Sequence, residues 1–370
     1  MLAIGLMSGT SLDGIDAALL DTDGEDEAIP LGFVGVDYSA QDRAVLARAT
    51  EVALSLPRPA HTPEIAAAEA VLTRTHADAV ARLLREARVP AGGIGVIGFH
   101  GQTVAHRPDR GWTWQVGDGA ALAAATEIDV VADMRSADVA AGGQGAPLIP
   151  AYHRALASGL QPPVAILNLG GVANVTWIGA DGQMVAFDTG PANGLVDSWM
   201  EAETGARFDA NGAAAAAGRV DETVLGAMLD NPWFDAAPPK SLDRNDFTIQ
   251  PARGLSTADG AATLTAFTAA TVAHALRQLP QRPARLFVVG GGGRNPTMLA
   301  MIAERTGLIP EPADTLGWNG DAVEAEGFAY LAVRSLKGLP LSFPGTTGVL
   351  RPLTGGTLHR APFSLASEPA

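Results

Sequence analysis

The 370-residue chain contains no cysteine. Disulfides, zinc–thiolate sites, iron–sulfur clusters and cysteine nucleophiles are all excluded by that absence. Lysine is nearly as scarce, with only Lys240 and Lys337. A Walker phosphate loop needs a lysine in GxxxxGK[ST], and neither lysine sits in such a run. The HRD and DFG motifs of protein kinases are missing too. No uncharged apolar run reaches the length of a membrane span, and no basic segment precedes the first apolar run, so no secretory signal is expected. Positive charge is in deficit: the net charge is −15. The phosphates of nucleic acid or of an anionic membrane would be repelled. No nucleic-acid or membrane partner is expected, and a cytoplasmic location is the default. A phosphate ligand stays open, because backbone amides and a metal ion can hold one without basic side chains.

What is present points to an α/β protein. Hydrophobic residues make up 47 % of the chain, enough for substantial cores, and its length suggests two domains. The opening stretch, AIGLMSGTSLDGIDAALLD from Ala3, reads as two strands, 2–7 and 14–20, around a loop of small, hydroxylated and acidic residues. Thr62-Pro63-Glu64 reads as the cap and first turn of a long helix, with His76 on its polar, solvated side. Ile94 to Phe99 reads as a short buried strand running into His100-Gly101-Gln102-Thr103, and Ile128 to Ala132 as another, ending before Arg135 and Asp138. The opening pattern returns at 163–190, where a strand, the turn Gly170-Gly171 and a second strand carrying Asn174 lead to a third strand that ends at Asp188. Helices are expected near 148–158, 191–203, 219–230, 260–279 and 322–337. A strand feeding Gly290, Gly291 and Gly292 precedes a helix capped by Asn295. Alternating strands and helices with two similar Gly-turn hairpins imply largely parallel sheets in two related halves.

Several motifs carry competing readings. Asp188-Thr189-Gly190 matches the aspartic-protease signature, but that chemistry needs two copies and no second DTG or DSG exists. The dinucleotide pattern GxGxxG is incomplete at Gly143 and at Gly290. Asp188 reads either as a helix cap or as a carboxylate at a strand end, where α/β sheets place catalytic groups. Asp321 and Glu324 fit a capping box. His100 reads as a half-buried histidine. Asp133, Arg135 and Asp138 read as a salt-bridged turn or as partners for a polyhydroxylated ligand.

Taken in order, GLMSGTSLDGID from residue 5, GFHGQTVAHRP at 98–108, VADMRSADVAAGGQGAPLIPAYH at 131–153, NLGGVANVT at 168–176, FDTGPANGLVD at 187–197, VVGGGGRNP at 288–296 and VEAEGFAYLA at 323–332 resemble the anhydro-N-acetylmuramic acid kinases of bacterial cell-wall recycling. The sequence departs from that family's pattern at Ser241-Leu242-Asp243-Arg244, where Ser-Thr-Gly-Arg is expected, and at Glu326-Gly327, where Met-Ala is expected.

The resemblance implies a two-lobed actin-like ATPase fold with a duplicated mixed-sheet core. One lobe would span 1–135 plus about 340–370, the other 136–339. It implies ATP and Mg²⁺, and a small-molecule anhydro amino sugar as substrate. It implies a homodimer. Gly9, Thr10, Ser11, Leu12, Asp13, Gly14, Ile15 and Asp16 would form the first phosphate loop, with Gly9 and Gly14 permitting the turn and the approach of the nucleotide, and Asp13 or Asp16 near the metal's water shell. Gly170, Gly171 and Asn174 would form the second phosphate turn, and Gly290, Gly291 and Gly292 would hold adenosine. Asp188 matches the family's catalytic base. His100, Gln102, Arg135, Asp138 and Glu324 would contact the sugar and its lactyl group. Water would open the anhydro ring at C1 while O6 takes the γ-phosphoryl group. A kinase for a related anhydrosugar such as levoglucosan, and a non-catalytic nucleotide-binding protein of the same fold, are the alternatives.

Overall fold

A computed structural model describes residues 1–242 and 246–362. Among the described residues twelve strands form two mixed sheets. In the first, β1 (Leu2–Ser8), β2 (Gly14–Thr22) and β3 (Ala28–Asp37) make an antiparallel meander. β4 (Val96–Arg107) adds parallel to β1, and β6 (Val130–Ala132) parallel to β4. β5 (Trp112–Val116) returns antiparallel on the far half of β4, and β12 (Thr357–His359) borders β6. The second sheet repeats this plan. β7 (Val164–Leu169), β8 (Val172–Ile178) and β9 (Met184–Pro191) form the meander, and β10 (Arg285–Val289) and β11 (Pro310–Pro312) add in parallel beyond β7. The duplicated mixed-sheet core expected of an actin-like ATPase is present.

The chain divides into two compact units, one of Met1–Ser158, Glu324–Pro344 and the segment from Val349 onward, the other of Gly159–Val323 and Gly345–Gly348. The sequence division at 135 and 339 differs from this. The helices Pro150–Leu156 and Val323–Leu336 both belong to the first unit. The Tyr152 hydroxyl on the one donates to Glu326 Oε2 on the other at 2.7 Å. Glycine supplies a second reason. A Cβ on Gly5 of β1 would lie 1.8 Å from the Ala325 carbonyl oxygen, and one on Gly98 of β4 would lie 2.0 Å from that of Phe328. Only glycine lets these strands meet the helix backbone so closely. Gly327 lets the same helix approach Ile149, whose side chain would stand 2.6 Å from a Cβ there. Residues 243–245, which overlap the departure at 241–244, and residues 363–370, inside the expected 340–370 return, lie outside the described residues.

Most expected elements form, with three differences. The helix Ala40–Ser55, capped by Ser39, carries no strong apolar periodicity and has no counterpart in the sequence reading. β4 does not stop at Phe99 but runs to Arg107. At Gly101, with φ of +72°, the strand bulges: Leu6 and Ser8 of β1 face Phe99 and Gln102, so two residues span three. His76 is not on a solvated face. It is fully buried in the helix Pro63–Ala87, its ring 5.0 Å from that of Phe99 and its Nδ1 2.8 Å from the Leu72 carbonyl. Ile65, Ala68, Leu72, Ala79 and Leu83 share its stripe at three- and four-residue steps. Spacing, not polarity, decides its side. Burial drives its pKa down to about 4, which keeps the ring neutral.

In the second unit the helix Thr257–Arg277 is buried over most of its length. Its Ala- and Thr-rich surface lets elements pack close on every side, as where Gly260 lies under the Trp199 ring.

Glu326 yields a test. Burial pushes its carboxyl up to about 7 from an ordinary 4.5. The folded state then binds the proton more tightly than the unfolded one, so stability is greatest below pH 4.5 and falls as pH rises toward 7. At ~1.4 kcal/mol per pH unit the loss is on the order of 3 kcal/mol. Glu326→Gln is expected to match the parent in urea near pH 4 and to be the more stable protein at pH 8. An equal difference at both pH values would sink the ionisation argument.

Candidate active site

In the first unit, residues 9–12 close a turn at the end of β1, with Leu12 N–H donating to the Gly9 carbonyl at 3.2 Å. Thr10, Ser11 and Asp13 are exposed. The turn's left-handed residue is Leu12, with φ of +57°, and not a glycine. Gly9 is needed neither for backbone freedom nor for packing room, as a Cβ there would stand 3.5 Å from its nearest neighbour. Gly14 serves packing instead: a Cβ would meet the Val36 carbonyl of β3 at 2.4 Å. Ile15 is core, 1 % exposed, so its side chain is closed to a ligand. Asp16 stands half-buried on β2, opposite Met7.

This turn is anchored from beneath. Ser8 Oγ donates to Gln102 Oε1 at 2.6 Å, and Gln102 Nε2 donates to the Gly9 carbonyl at 3.1 Å. Ser8 has one hydroxyl proton, already given to Gln102, so the Tyr38 hydroxyl is the donor in its 2.8 Å contact with Ser8 Oγ. Burial pushes that phenol up to about 12, which keeps the proton in place. Tyr38 N–H also donates to the Asp13 carbonyl at 3.0 Å. Tyr38 thus ties both ends of the loop. The sequence reading missed it, although it is one of only three tyrosines. Gln102 is almost wholly buried under the turn, which makes it an anchor more than a surface contact.

A second cluster follows the bulge in β4. His100 is buried, its Nδ1 2.7 Å from the Gly101 carbonyl. Arg135 Nε and Nη2 lie 3.2 and 3.1 Å from His100 Nε2, and Nη1 donates to the Gly145 carbonyl at 2.8 Å. Burial and then the Arg135 charge hold the His100 pKa well below its ordinary value. The neutral ring donates from Nδ1 and accepts at Nε2. Asp138 Oδ1 accepts from Gly145 N–H at 2.6 Å. Arg135 and Asp138 therefore grip the loop 141–147 at opposite ends of one residue. Phe328 completes the cluster, 4.7 Å from the His100 ring and 5.8 Å from the Arg135 guanidinium. Glu324, half-buried, lies one turn before Phe328 on the same helix. The structure thus gathers His100, Arg135 and Asp138, while Gln102 belongs to the turn.

In the second unit, Asn168, Asn174 and Asp188 are cross-strand neighbours on β7, β8 and β9. Asp188 is 9 % exposed. It is no helix cap: β9 continues to Pro191, and the next helix, Asn193–Thr204, starts after Ala192 without a side-chain cap. Its carboxylate is held by the segment 240–242, whose Leu242 N–H donates to Oδ2 at 2.8 Å, while Asp188 N–H donates to the Lys240 carbonyl at 3.0 Å.

The Gly170-Gly171 turn is clasped by the start of the helix Asn193–Thr204. The N–H groups of Ala192 and Gly194 reach the Gly171 carbonyl, and those of Asn193, backbone and side chain, reach that of Gly170. Gly290, with φ of +79°, and Gly292 pass over the same turn: a Cβ on the first would meet Asn168 Oδ1 at 2.4 Å, and one on the second Leu169 Cβ at 2.6 Å. Glycine turns from two strand ends therefore stack on each other, exposing backbone without basic side chains. A cavity of about 350 Å³ opens beside the end of β9, lined by Gly171, Pro191, Gly194, Leu242 and Phe247 among others.

The model of the family described as anhydro-N-acetylmuramic acid kinase matches residues 1–361. The chain belongs to this family. It is accordingly a kinase. A protein of that name from Rhizorhabdus wittichii is 68 % identical over 361 residues, covering 97 % of this chain and 99 % of its own. Others of the same name, from Zymomonas mobilis and Methylobacterium nodulans, are 53 % and 51 % identical, each matched over 97 % of this chain and 100 % of its own. Among solved structures the likeness is remote: component A of (R)-2-hydroxyglutaryl-CoA dehydratase from Acidaminococcus fermentans is 13 % identical, with 90 % of this chain and 99 % of that one covered and a TM-score of 0.49. The fold assignment rests on the sheets themselves.

The stacked glycines can be tested directly. Gly290→Ala is expected to lower stability by about 1–3 kcal/mol, through overpacking and an unfavourable φ. Gly291→Ala, with nothing within 4 Å of a Cβ, is expected to leave it unchanged. Equal urea midpoints for the two variants would refute the stacking argument.

Proposed function

We propose that this kinase opens the 1,6-anhydro ring of 1,6-anhydro-N-acetylmuramic acid by hydrolysis and phosphorylates O6 with ATP, yielding N-acetylmuramic acid 6-phosphate and ADP. The observation that carries the reading is Asp188, a carboxylate fixed by a backbone N–H on a buried strand. Water bonds to C1 as the C1–O6 bond breaks. O6 takes the γ-phosphoryl group as its bond to the β-phosphate oxygen breaks, and the water's proton passes to Asp188. A positioned base of this kind contributes roughly 10²–10⁴-fold. Positioning and charge neutralisation carry most of a phosphoryl transfer.

The turn of residues 9–13 offers backbone and the Thr10 and Ser11 hydroxyls to phosphate oxygens, and the turns at 170–171 and 290–292 offer backbone to the rest of the nucleotide. The neutral His100, whose two ring nitrogens are engaged by Gly101 and Arg135, would serve the sugar by orienting Arg135. Arg135, anchored on Gly145, would meet a carboxylate such as the lactyl group through its guanidinium charge. Among the described residues no three histidine or carboxylate groups gather as an all-protein metal cage would need. That donor set still fits Mg²⁺, which takes one or two carboxylates beside phosphate oxygens and water, and Asp13 and Asp16 would hold it. When bound it neutralises phosphate charge. A cytoplasmic homodimer serving cell-wall recycling belongs to the same proposal. No described helix is long and apolar enough to cross a membrane.

The deciding experiment supplies the enzyme with Mg²⁺-ATP, the anhydro sugar and ¹⁸O-water. The expected product is a sugar 6-phosphate carrying ¹⁸O at C1, absent with Asp188→Asn. ATP binding without product would sink the substrate assignment and turn attention to levoglucosan or to a non-catalytic role. A second measurement concerns the first turn. Tyr38→Phe removes one hydrogen bond worth ~1 kcal/mol, so the KM for ATP is expected to rise about fivefold while the KM for the sugar holds. Equal rises in both would point to a general loosening of the fold.

A further inference from the structure

Lys240 is one of two lysines in the chain, and it is 8 % exposed. Its ammonium donates to the carbonyls of Trp233 at 3.1 Å and Phe234 at 2.6 Å. It also lies 4.6 Å from the Trp233 ring centroid and 5.9 Å from that of Phe187. A buried ammonium needs such acceptors and aromatic faces to offset its lost hydration. Phe187 immediately precedes Asp188, and Gln278 Nε2 donates to the same Phe234 carbonyl at 2.8 Å. The charged and titratable neighbours are Asp235 and His274, whose Nε2 lies 3.4 Å from Asp235 Oδ1. The backbone of this lysine is the one that grips Asp188: its carbonyl accepts the Asp188 N–H, and two residues on, Leu242 N–H holds the carboxylate.

We infer that Lys240 is a positioning residue for Asp188, its ammonium pinning the 233–234 carbonyls so that the 240–242 backbone is held against the carboxylate. The inference rests on the reading of Asp188 as the base. An apolar side chain of similar length would fill the space, but it would leave the Trp233 carbonyl to Ala236 N–H and the Phe234 carbonyl to Gln278 Nε2, and the 240–242 segment without its tie. Because the Leu242 N–H bond favours the ionised carboxylate, loosening the segment also changes how readily Asp188 takes a proton.

The test measures Lys240→Met in the full-length enzyme by steady-state kinetics across about pH 5 to 9. The kcat is expected to fall at least about tenfold, with the KM for ATP unchanged. The acid limb of the kcat profile is expected to move up by about one pH unit. Lys240→Gln, which keeps two N–H donors but not the reach, is the second variant and is read the same way if Lys240→Met does not fold. A parental kcat and acid limb overturn the proposal, as does a reduced kcat with an unmoved limb, which marks a merely structural lysine. Asp188→Asn separates the two layers. If it keeps full activity, the base assignment falls and this inference with it. If it is inactive while the lysine variants behave as the parent, the Lys240 inference alone falls.

Discussion

The arrangement of the first unit depends on how closely one helix backbone approaches two strands. Gly5 and Gly98 lack the Cβ atoms that would collide with the backbone of the helix Val323–Leu336. That approach brings the Phe328 ring to His100 and Arg135. Arg135 then reaches Gly145, and with Asp138 fixes the loop that follows. A methyl group at either glycine would move the helix and, through Phe328, every member of that cluster. The arrangement of this cluster therefore rests on a steric constraint between strand glycines and helix carbonyls.

The second unit reaches a comparable end by different means. Its glycines pack against a strand end, Gly290 and Gly292 over Asn168 and Leu169 of β7. The Asp188 carboxylate there accepts the backbone N–H of Leu242. Neutral amides suit a site that handles phosphate in a chain of net charge −15, because they attract anions without adding mobile cationic side chains. The neutral His100 follows the same economy, with burial and the adjacent guanidinium keeping it uncharged.

Much of this was legible in the sequence. The two Gly-turn hairpins and the Asn295-capped helix lie where pattern and turn chemistry put them, while the strand expected to end at Asp188 runs on to Pro191. What escaped did so for physical reasons. The side of the helix Pro63–Ala87 that holds His76 was judged by polarity, whereas its period set the burial. Tyr38 and Lys240 act through partners distant in sequence, Ser8 and the backbone around Asp188, and no local spacing announces such a bond. Gly9 and Gly14 look alike in the motif, yet only Gly14 faces a backbone that would clash with a side chain. The helix Ala40–Ser55 buries only Leu46, Ala49 and Ala53, too thin a stripe to be seen by periodicity alone.

The first unit is discontinuous: its strands come from the beginning of the chain and the helix that covers Gly5 and Gly98 from near the end. During synthesis the second unit, contiguous from Gly159 to Val323 apart from four later residues, emerges almost whole before that helix exists. β1 and β4 must leave the ribosome with one face uncovered and wait while more than half the chain is made. The order in which the units can be completed therefore reverses the order in which they begin in the sequence. The later-encoded unit can settle first, and the earlier one is completed only when residues 324–336 arrive, so a truncated product ending before them would carry a bare sheet face open to aggregation.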